Sequence, residues 1–296
     1  MVSIILVNYG GSKDTIECIQ SIEDSGEKDY QIIVVDNASP DDSVAVLEAA
    51  QKDHNFILIK SDVNGGFSAG NNLGIQYALE HDTDYVLLLN NDTIVTANFL
   101  DELLKPFAKY PDCGATIGKI LYNQDRSKIW YGGGAMDPQT ARTQHFFYDE
   151  IDHGQADKEQ SVSFATGCCL CLSAKTIKDV GLLDDSYFLY EEDVDYCYRI
   201  AKAGYQIIYH PQAVIYHKVS ASTGRASATT QYYSIRNKYL LIQKNYPQKI
   251  KWKAYAYTTL KFFVRCLKGS LKLRYLRMGL KAFRSGEQGK RENSLV

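Results

Sequence analysis

Four carboxylates stand within five positions at Glu191-Glu192-Asp193-Val194-Asp195, directly after the apolar Tyr187-Phe188-Leu189. Like charges this close repel, and partial burial adds to the effect, so a carboxyl here is pushed toward the pKa at which it takes a proton from a substrate hydroxyl. The cluster is thus a candidate to supply a general base beside a cation, and a solvated helix start is the plain alternative. Asp92 closes the run Leu87-Leu88-Leu89-Asn90-Asn91 and offers a hard oxygen to Mg²⁺ or Mn²⁺ beside a diphosphate, or else caps the segment after Thr93. The stretch Asn64-Gly65-Gly66-Phe67-Ser68-Ala69-Gly70-Asn71-Asn72 lets backbone approach a ligand and turns N–H groups toward an anion. It is neither G-x-G-x-x-G nor a P-loop, and a simple turn or helix cap fits it equally. Asn8-Tyr9 and Asp36 complete the set: Asp36 can accept from a ribose hydroxyl or a base N–H, Tyr9 can pack on a base, and a loop-capping aspartate is the rival.

These groups need a scaffold that gathers them. Three nearly continuous apolar runs, Ile4 to Val7, Ile32 to Val35 and Tyr85 to Leu89, read as strands covered on both faces. The segments Lys13 to Ser25, Asp41 to Lys52 and Ala69 to Glu80 have helical spacing, with Ser39-Pro40-Asp41 as a helix start. Alternating strands and helices imply an α/β doubly wound, mostly parallel sheet, which exposes its site at the carboxyl ends of the strands. Asn8, Asp36 and Asn90-Asn91-Asp92 all fall there. Between Cys113 and Ser173 the pattern is less regular; a second group of strands is expected, with a loop from Asp149 to Gln160.

Charge divides the chain. Residues 1 to 195 hold 13 Lys/Arg and 33 Asp/Glu, residues 196 to 296 hold 20 and 2, and no acidic residue lies between Asp195 and Glu287. An anionic partner is therefore expected at the C-terminal third. There Leu260, Val264, Leu267, Leu271, Tyr275 and Met278 form one stripe at helical spacing, flanked by Lys261, Arg265, Lys268 and Lys272. An anionic membrane surface or an acidic face of a second copy fits this pattern better than nucleic acid. The seven cysteines, three of them crowded at Cys168, Cys169 and Cys171, have no disulfide or zinc spacing and read as reduced core residues. The first residues lack the features of a signal peptide, and no apolar run approaches the roughly 20 residues of a membrane span, so a cytoplasmic protein, peripheral at the inner face of the membrane, is expected.

Taken in order, Ser3 to Tyr9, Val34 to Ser39, Asn64 to Asn72, Asn90-Asn91-Asp92, Thr166-Gly167, Val180 to Asp184 and Phe188 to Arg199 resemble glycosyltransferase family 2 and its GT-A fold. The resemblance covers residues 1 to 220, with 1–110 as the nucleotide-binding part and 111–220 as the acceptor part, and leaves 221–296 as a basic, amphipathic, helical C-terminal region. It implies an inverting transfer from a dTDP- or UDP-sugar donor to a saccharide or polyprenyl-linked acceptor. Asn8, Tyr9, Asp36, Asn64, Gly65, Gly66, Asn72, Asn90 and Asn91 would bind the nucleotide sugar, Asp92 the cation and Asp193 the acceptor proton, with Glu192 beside it. His217 matches a position that can complete the metal site. The family's Asp-x-Asp is here Asn90-Asn91-Asp92, with a single carboxylate. The glycine-rich stretch, Trp130-Tyr131-Gly132-Gly133-Gly134 and Tyr233-x-x-Arg236-Asn237 are most similar to rhamnosyltransferases of bacterial cell-surface polysaccharide synthesis, which implies dTDP-rhamnose, with UDP-galactofuranose or a UDP-hexose as alternatives. A sugar-phosphate nucleotidyltransferase would need a longer, Arg-bearing loop than Asn8 to Lys13; a non-catalytic carbohydrate-binding protein is the remaining rival.

Overall fold

A computed structural model describes residues 1–219 and 227–291; the domain boundary expected at 220/221 lies outside the described residues. Strands β1 (Val2–Asn8) and β2 (Tyr30–Asp36) are runs of branched aliphatic residues, stiff at χ1 and suited to extended backbone. Ile4, Ile5, Leu6, Ile33, Val34 and Val35 have no exposed surface. Helix α1 (Ser12–Glu23) connects the two strands, α2 (Ser43–Ala50) leads to β3 (Ile57–Lys60), and α3 (Gly66–Glu80) returns the chain to β4 (Tyr85–Asn90). The four strands are parallel in the order β3-β2-β1-β4, so the strand order reverses at β1 and opens a crevice at its carboxyl end. Helix α3 lies close on β1 because Gly74 has no side chain: a Cβ there would stand 2.6 Å from Ile5 Cγ2.

Two local expectations shift. Helix α2 starts at Ser43, after the Ser39-Pro40-Asp41 signal, because Ser39 is drawn back onto Asp36 through its N–H and hydroxyl and the Asp41 carboxylate instead accepts from the Ser43 N–H. Strand β3, absent from the three apolar runs, is four residues long and only partly buried, too short to stand out as a pattern.

After β5 (Thr93–Val95) and α4 (Phe99–Lys109), the irregular region contains the ten-residue β6 (Cys113–Tyr122), the short β7 (Ile129–Tyr131), β8 (Gly134–Met136), β9 (Thr143–His145) and β10 (Gln160–Val162), then β11 (Cys169–Ser173) and α5 (Ala174–Val180). Helix α6 (Glu192–Lys202) and the long β12 (Gln206–His217) follow. The sheet continues from β4 as β11-β6-β12-β10, with β11 antiparallel to β4 and β6, and β12 parallel to β6. All seven cysteines are free, and Cys168, Cys169 and Cys171 are buried in this half of the core.

The C-terminal helices are α7 (Ala228–Asn245), α8 (Gln248–Leu267) and α9 (Leu273–Arg284). Leu240, Leu241, Ile242 and Tyr246 join the core of the sheet, while Ile235 and Tyr239 of α7 pack with Phe262, Leu271, Tyr275 and Leu276. The stripe from Leu260 to Met278 is therefore not one face. The chain turns between α8 and α9 at Gly269, φ +72°, which buries Leu271 and Tyr275 against α7 and leaves Leu260, Val264 and Leu267 facing outward. Among the described residues no helix is long and apolar enough to cross a membrane.

Candidate active site

At the carboxyl end of β1, Asn8 is wholly buried and its amide is committed on both sides. Its Nδ2 donates to Asp36 Oδ2 at 2.8 Å and to Ser39 Oγ, and its Oδ1 accepts from Gly11 N and from the Thr15 hydroxyl at 3.0 Å. Asn91 Nδ2 donates to the same Thr15 hydroxyl at 2.8 Å. One chain of hydrogen bonds, Asn91 to Thr15 to Asn8 to Asp36, thus joins the ends of β4, β1 and β2. Tyr9 stands next to it, half exposed.

The glycine-rich stretch is shaped by Asn37, the polar neighbour of Asp36 at the end of β2, to which no role of its own was assigned from the sequence. Asn37 Nδ2 donates to Gly66 O at 2.9 Å and Asn64 Oδ1 at 3.2 Å, while its Oδ1 accepts from Gly65 N, and Asn64 Oδ1 accepts from Gly66 N. Gly66 has φ +82°, and a Cβ there would lie 2.1 Å from the carbonyl oxygen of Phe188. Phe67 N donates to that same oxygen at 2.8 Å, so the start of α3 is joined backbone to backbone with the loop before α6. Asn72 is used internally: its amide donates to Leu183 O and Asp185 and accepts from Leu183 N.

Asp92 and His217 meet. His217 Nε2 is 3.1 Å from Asp92 Oδ1, both side chains largely buried, because β12 ends beside the turn that follows β4 and the Lys218 N–H donates to Asp92 O. Trp130 packs edge-on against the imidazole, with ring centroids 4.6 Å apart, and the buried Nδ1 finds no hydrogen-bond partner among the described residues. Among the described residues no group of three or more His, Cys, Asp and Glu side chains converges. A carboxylate oxygen and an imidazole nitrogen nevertheless fit a divalent cation that takes its other ligands from a diphosphate and water.

Asp193 lies across a short backbone bridge from this pair. Its Oδ2 accepts from Gly167 N at 3.2 Å, and the next residue, Cys168, accepts through its carbonyl from Asn90 N at 2.9 Å. Burial pushes the Asp193 carboxyl up to about 6, with the N–H groups of Gly167 and Val194 opposing and the charge of Glu191 adding. Glu192 is buried, its Oε2 without a hydrogen-bond partner among the described residues, and burial followed by the charge of Asp193 holds it well above the ordinary carboxylate range. The other two carboxylates are occupied: Glu191 pairs with Lys238, and Asp195 accepts from Arg199 Nε, Tyr187 OH and Asn245 Nδ2 at 2.8, 3.1 and 2.6 Å.

The loop that presents Asp193 has three residues at positive φ, Phe188, Tyr190 and Glu191, a costly backbone that needs outside support. The support comes from α7. Arg236, wholly buried, donates to the carbonyls of Ser186 and Tyr187, and Asn237 Nδ2 lies 2.7–2.8 Å from those of Tyr187, Leu189 and Tyr190. The Arg236-Asn237 pair was visible in the sequence only as part of a recurring pattern; its role needed the tertiary contact.

The model for the family described as "Glycosyl transferase family 2" matches residues 3–181. Among curated relatives, the low-salt glycan biosynthesis hexosyltransferase Agl10 of Haloferax volcanii is 26% identical over 208 residues, covering 69% of this chain and 63% of that protein. The N-acetylglucosaminyl-diphospho-decaprenol L-rhamnosyltransferase of Mycobacterium tuberculosis is 25% identical, covering 71% and 73%. The rhamnosyltransferase WbbL of Escherichia coli is 28% identical, covering 71% and 81%. Thus the chain spans less than two thirds of the first of these and more of the other two. Among solved structures, the mannosyltransferase PcManGT from Pyrobaculum calidifontis in complex with GDP-Man and Mn²⁺ superposes with TM-score 0.59 at 15% identity, over 96% of this chain and 74% of that one. GalNAc-T7 with UDP, GalNAc and Mn²⁺ superposes with TM-score 0.63 at 13% identity, over 92% and 58%. With its family model matched over more than half its length and its fold shared with these enzymes, the chain belongs to glycosyl transferase family 2, a GT-A glycosyltransferase similar to rhamnosyltransferases.

Proposed function

We propose that the protein is an inverting, metal-dependent glycosyltransferase that moves a sugar from a nucleotide diphosphate donor onto a saccharide or polyprenyl-linked acceptor in bacterial cell-surface polysaccharide synthesis. The observation that carries this reading is the placement of Asp193, raised toward neutral pH, one backbone bridge from the Asp92–His217 pair. In this reading Asp36, oriented by Asn8, meets the ribose or the base N–H, and Tyr9 covers the base. The turn Asn64-Gly65-Gly66, Asn90 and Asn91 border the sugar diphosphate, and Asn72 holds the Leu183–Asp185 loop behind it. Asp92 and His217 would hold Mg²⁺ or Mn²⁺, which supplies charge neutralisation to the departing diphosphate. Asp193 takes the proton of the acceptor hydroxyl as its oxygen bonds to the anomeric carbon on the face opposite the breaking bond to the diphosphate, so the product anomer is inverted. Glu192, kept protonated, leaves Asp193 as the single anion at that point.

The donor is best read as dTDP-rhamnose, supported by the names of the mycobacterial and E. coli relatives. The name of the Haloferax volcanii hexosyltransferase supports transfer of a hexose, and the second reading of the donor is a UDP-hexose or UDP-galactofuranose. The diphospho-decaprenol acceptor in the mycobacterial relative's name supports a lipid-linked acceptor, and with it a cytoplasmic enzyme peripheral at an anionic membrane. Thermal shifts with a panel of nucleotide sugars, with and without Mn²⁺, followed by product analysis, test the reading. Donor binding should raise the melting temperature only with the cation. Efficient transfer from a UDP-hexose and none from dTDP-rhamnose would replace rhamnose by the second reading.

A further inference from the structure

The run Trp130-Tyr131-Gly132-Gly133-Gly134 stands out in the sequence, yet no step of the proposed transfer uses it. Its place in the fold is well defined. Strand β7 runs antiparallel to β6, with Tyr131 opposite Ile120, and β6 in turn pairs with β12, where Tyr122 stands opposite His217. Ile129 and Tyr131 are wholly buried, so the alternation of the strand turns Trp130 to the other face, beside His217. Several contacts anchor it there. The Tyr131 hydroxyl donates to Phe164 O at 2.6 Å, and Gly134 passes so close to that carbonyl that a Cβ would lie 2.7 Å from it. His145 Nδ1 donates to Trp130 O at 3.1 Å, and its ring packs against the indole with centroids 5.0 Å apart and planes at 77°.

What this anchored indole does follows from the surroundings of His217. An imidazole that binds a metal through one nitrogen is ordinarily fixed by a hydrogen bond from the other, and losing that support typically costs about 10–100-fold in affinity. His217 Nε2 is 3.1 Å from Asp92 Oδ1, but its buried Nδ1 has no hydrogen-bond partner among the described residues. The ring is packed instead against Trp130, with centroids 4.6 Å apart and planes at 87°. Aromatic rings in this perpendicular arrangement attract one another, and a bulky neighbour so close restricts rotation of the imidazole.

We propose that Trp130 is a positioning residue of the cation site: it holds the His217 imidazole so that Nε2 stays turned toward Asp92 and toward a divalent cation. The inference deepens the metal-assisted transferase reading and rests on it. It also gives the Trp-Tyr-Gly-Gly-Gly run a purpose, since Tyr131 and Gly134 set the depth at which the indole meets His217.

The chain has two tryptophans, and the other, Trp252, is 70% exposed on α8, so the full-length Trp252→Phe protein reports on Trp130 alone. The probe is Mn²⁺, added together with dTDP and, in a second series, with UDP. Trp130 emission should be quenched saturably, with the same midpoint as Mn²⁺ binding read by electron paramagnetic resonance. Trp130→Leu should weaken Mn²⁺ binding by about tenfold, and Trp130→Phe, which keeps a ring at the site, by much less. In a His217→Ala background Trp130→Leu should cost nothing further, because residues that act through one contact are not additive. An equal loss with and without His217 would make Trp130 a support of the fold and overturn the inference. Unchanged Mn²⁺ affinity in Trp130→Leu, or Trp130 emission indifferent to bound Mn²⁺, would overturn it as well, and the emission measurement decides even where the Leu variant does not fold. These outcomes leave the metal reading standing, whereas an unaltered protein that binds no Mn²⁺ with either nucleotide sinks that reading and the inference with it.

Discussion

With its carboxyl pushed up to about 6, Asp193 is ionised in most molecules at pH 7 and still basic enough to assist a hydroxyl, the compromise that general base catalysis favours. The kcat/KM for transfer should therefore rise with pH through about 6 and level off above it. Asp193→Asn should keep donor binding and lower turnover by about 10² or more. A flat profile, or near-normal turnover in that variant, would remove Asp193 from the mechanism. The same shift has a stability sign: the native carboxyl holds its proton up to about 6 against 3.8 in the unfolded chain, so its contribution falls as pH rises through that window. At the other end of the bridge, Asp92→Ala should abolish cation-dependent donor binding and His217→Ala should weaken it less, as read by thermal shift with and without Mn²⁺. Activity that survives exhaustive chelation would contradict the metal-assisted scheme. Residue types alone pointed to Asp92 and to the acidic cluster of residues 191–195, because hard ligands and crowded acids advertise themselves, whereas His217 and the choice of Asp193 within the cluster came from the family resemblance. Residue types gave no hint of Thr15 and marked Asn37 only as a polar residue beside Asp36, since an internal hydroxyl or amide becomes informative only when its partners, 76 and 28 residues away, are known.

Helix α7 was expected within a separate basic region, yet Asn237 lies 2.7–2.8 Å from three carbonyls of the loop that leads to Asp193, the proposed base. Asn237→Ala leaves those carbonyls without that donor, at about 1–3 kcal/mol for a buried group. The expected outcome is a fall in kcat of about tenfold or more with the donor Kd unchanged, because misplacing a base costs rate before it costs binding. A matching loss of donor affinity would show that α7 only holds the fold together. At the other support of the loop, Gly66→Ala forces a side chain into the Phe188 carbonyl and should reduce turnover together with melting temperature. The elements themselves were largely legible. Both-face burial marked β1, β2 and β4, whereas β3 was too short, and the α8–α9 stripe misled because helical spacing continues across a turn at Gly269 that periodicity does not register.

Across the whole molecule, six of the seven cysteines are buried and Cys266 is only partly covered. Burial pushes the thiols of Cys18, Cys113 and Cys169 up to about 12 and the others in the core higher still, so little thiolate is present at neutral pH. A maleimide titration of the native protein should count one fast thiol, lost in Cys266→Ser, and all seven in denaturant; several fast thiols in the native state would contradict the packing of the β4–β11–β6 core. The charge asymmetry was plain in the sequence, but not that the basic third would brace the acidic loop leading to Asp193, because composition has no geometry. The joint between Gly66 and Phe188 has one more consequence. It is made of backbone on both sides, so side chains around the start of α3 can be exchanged while the joint itself keeps α3 and the loop before Asp193 in register.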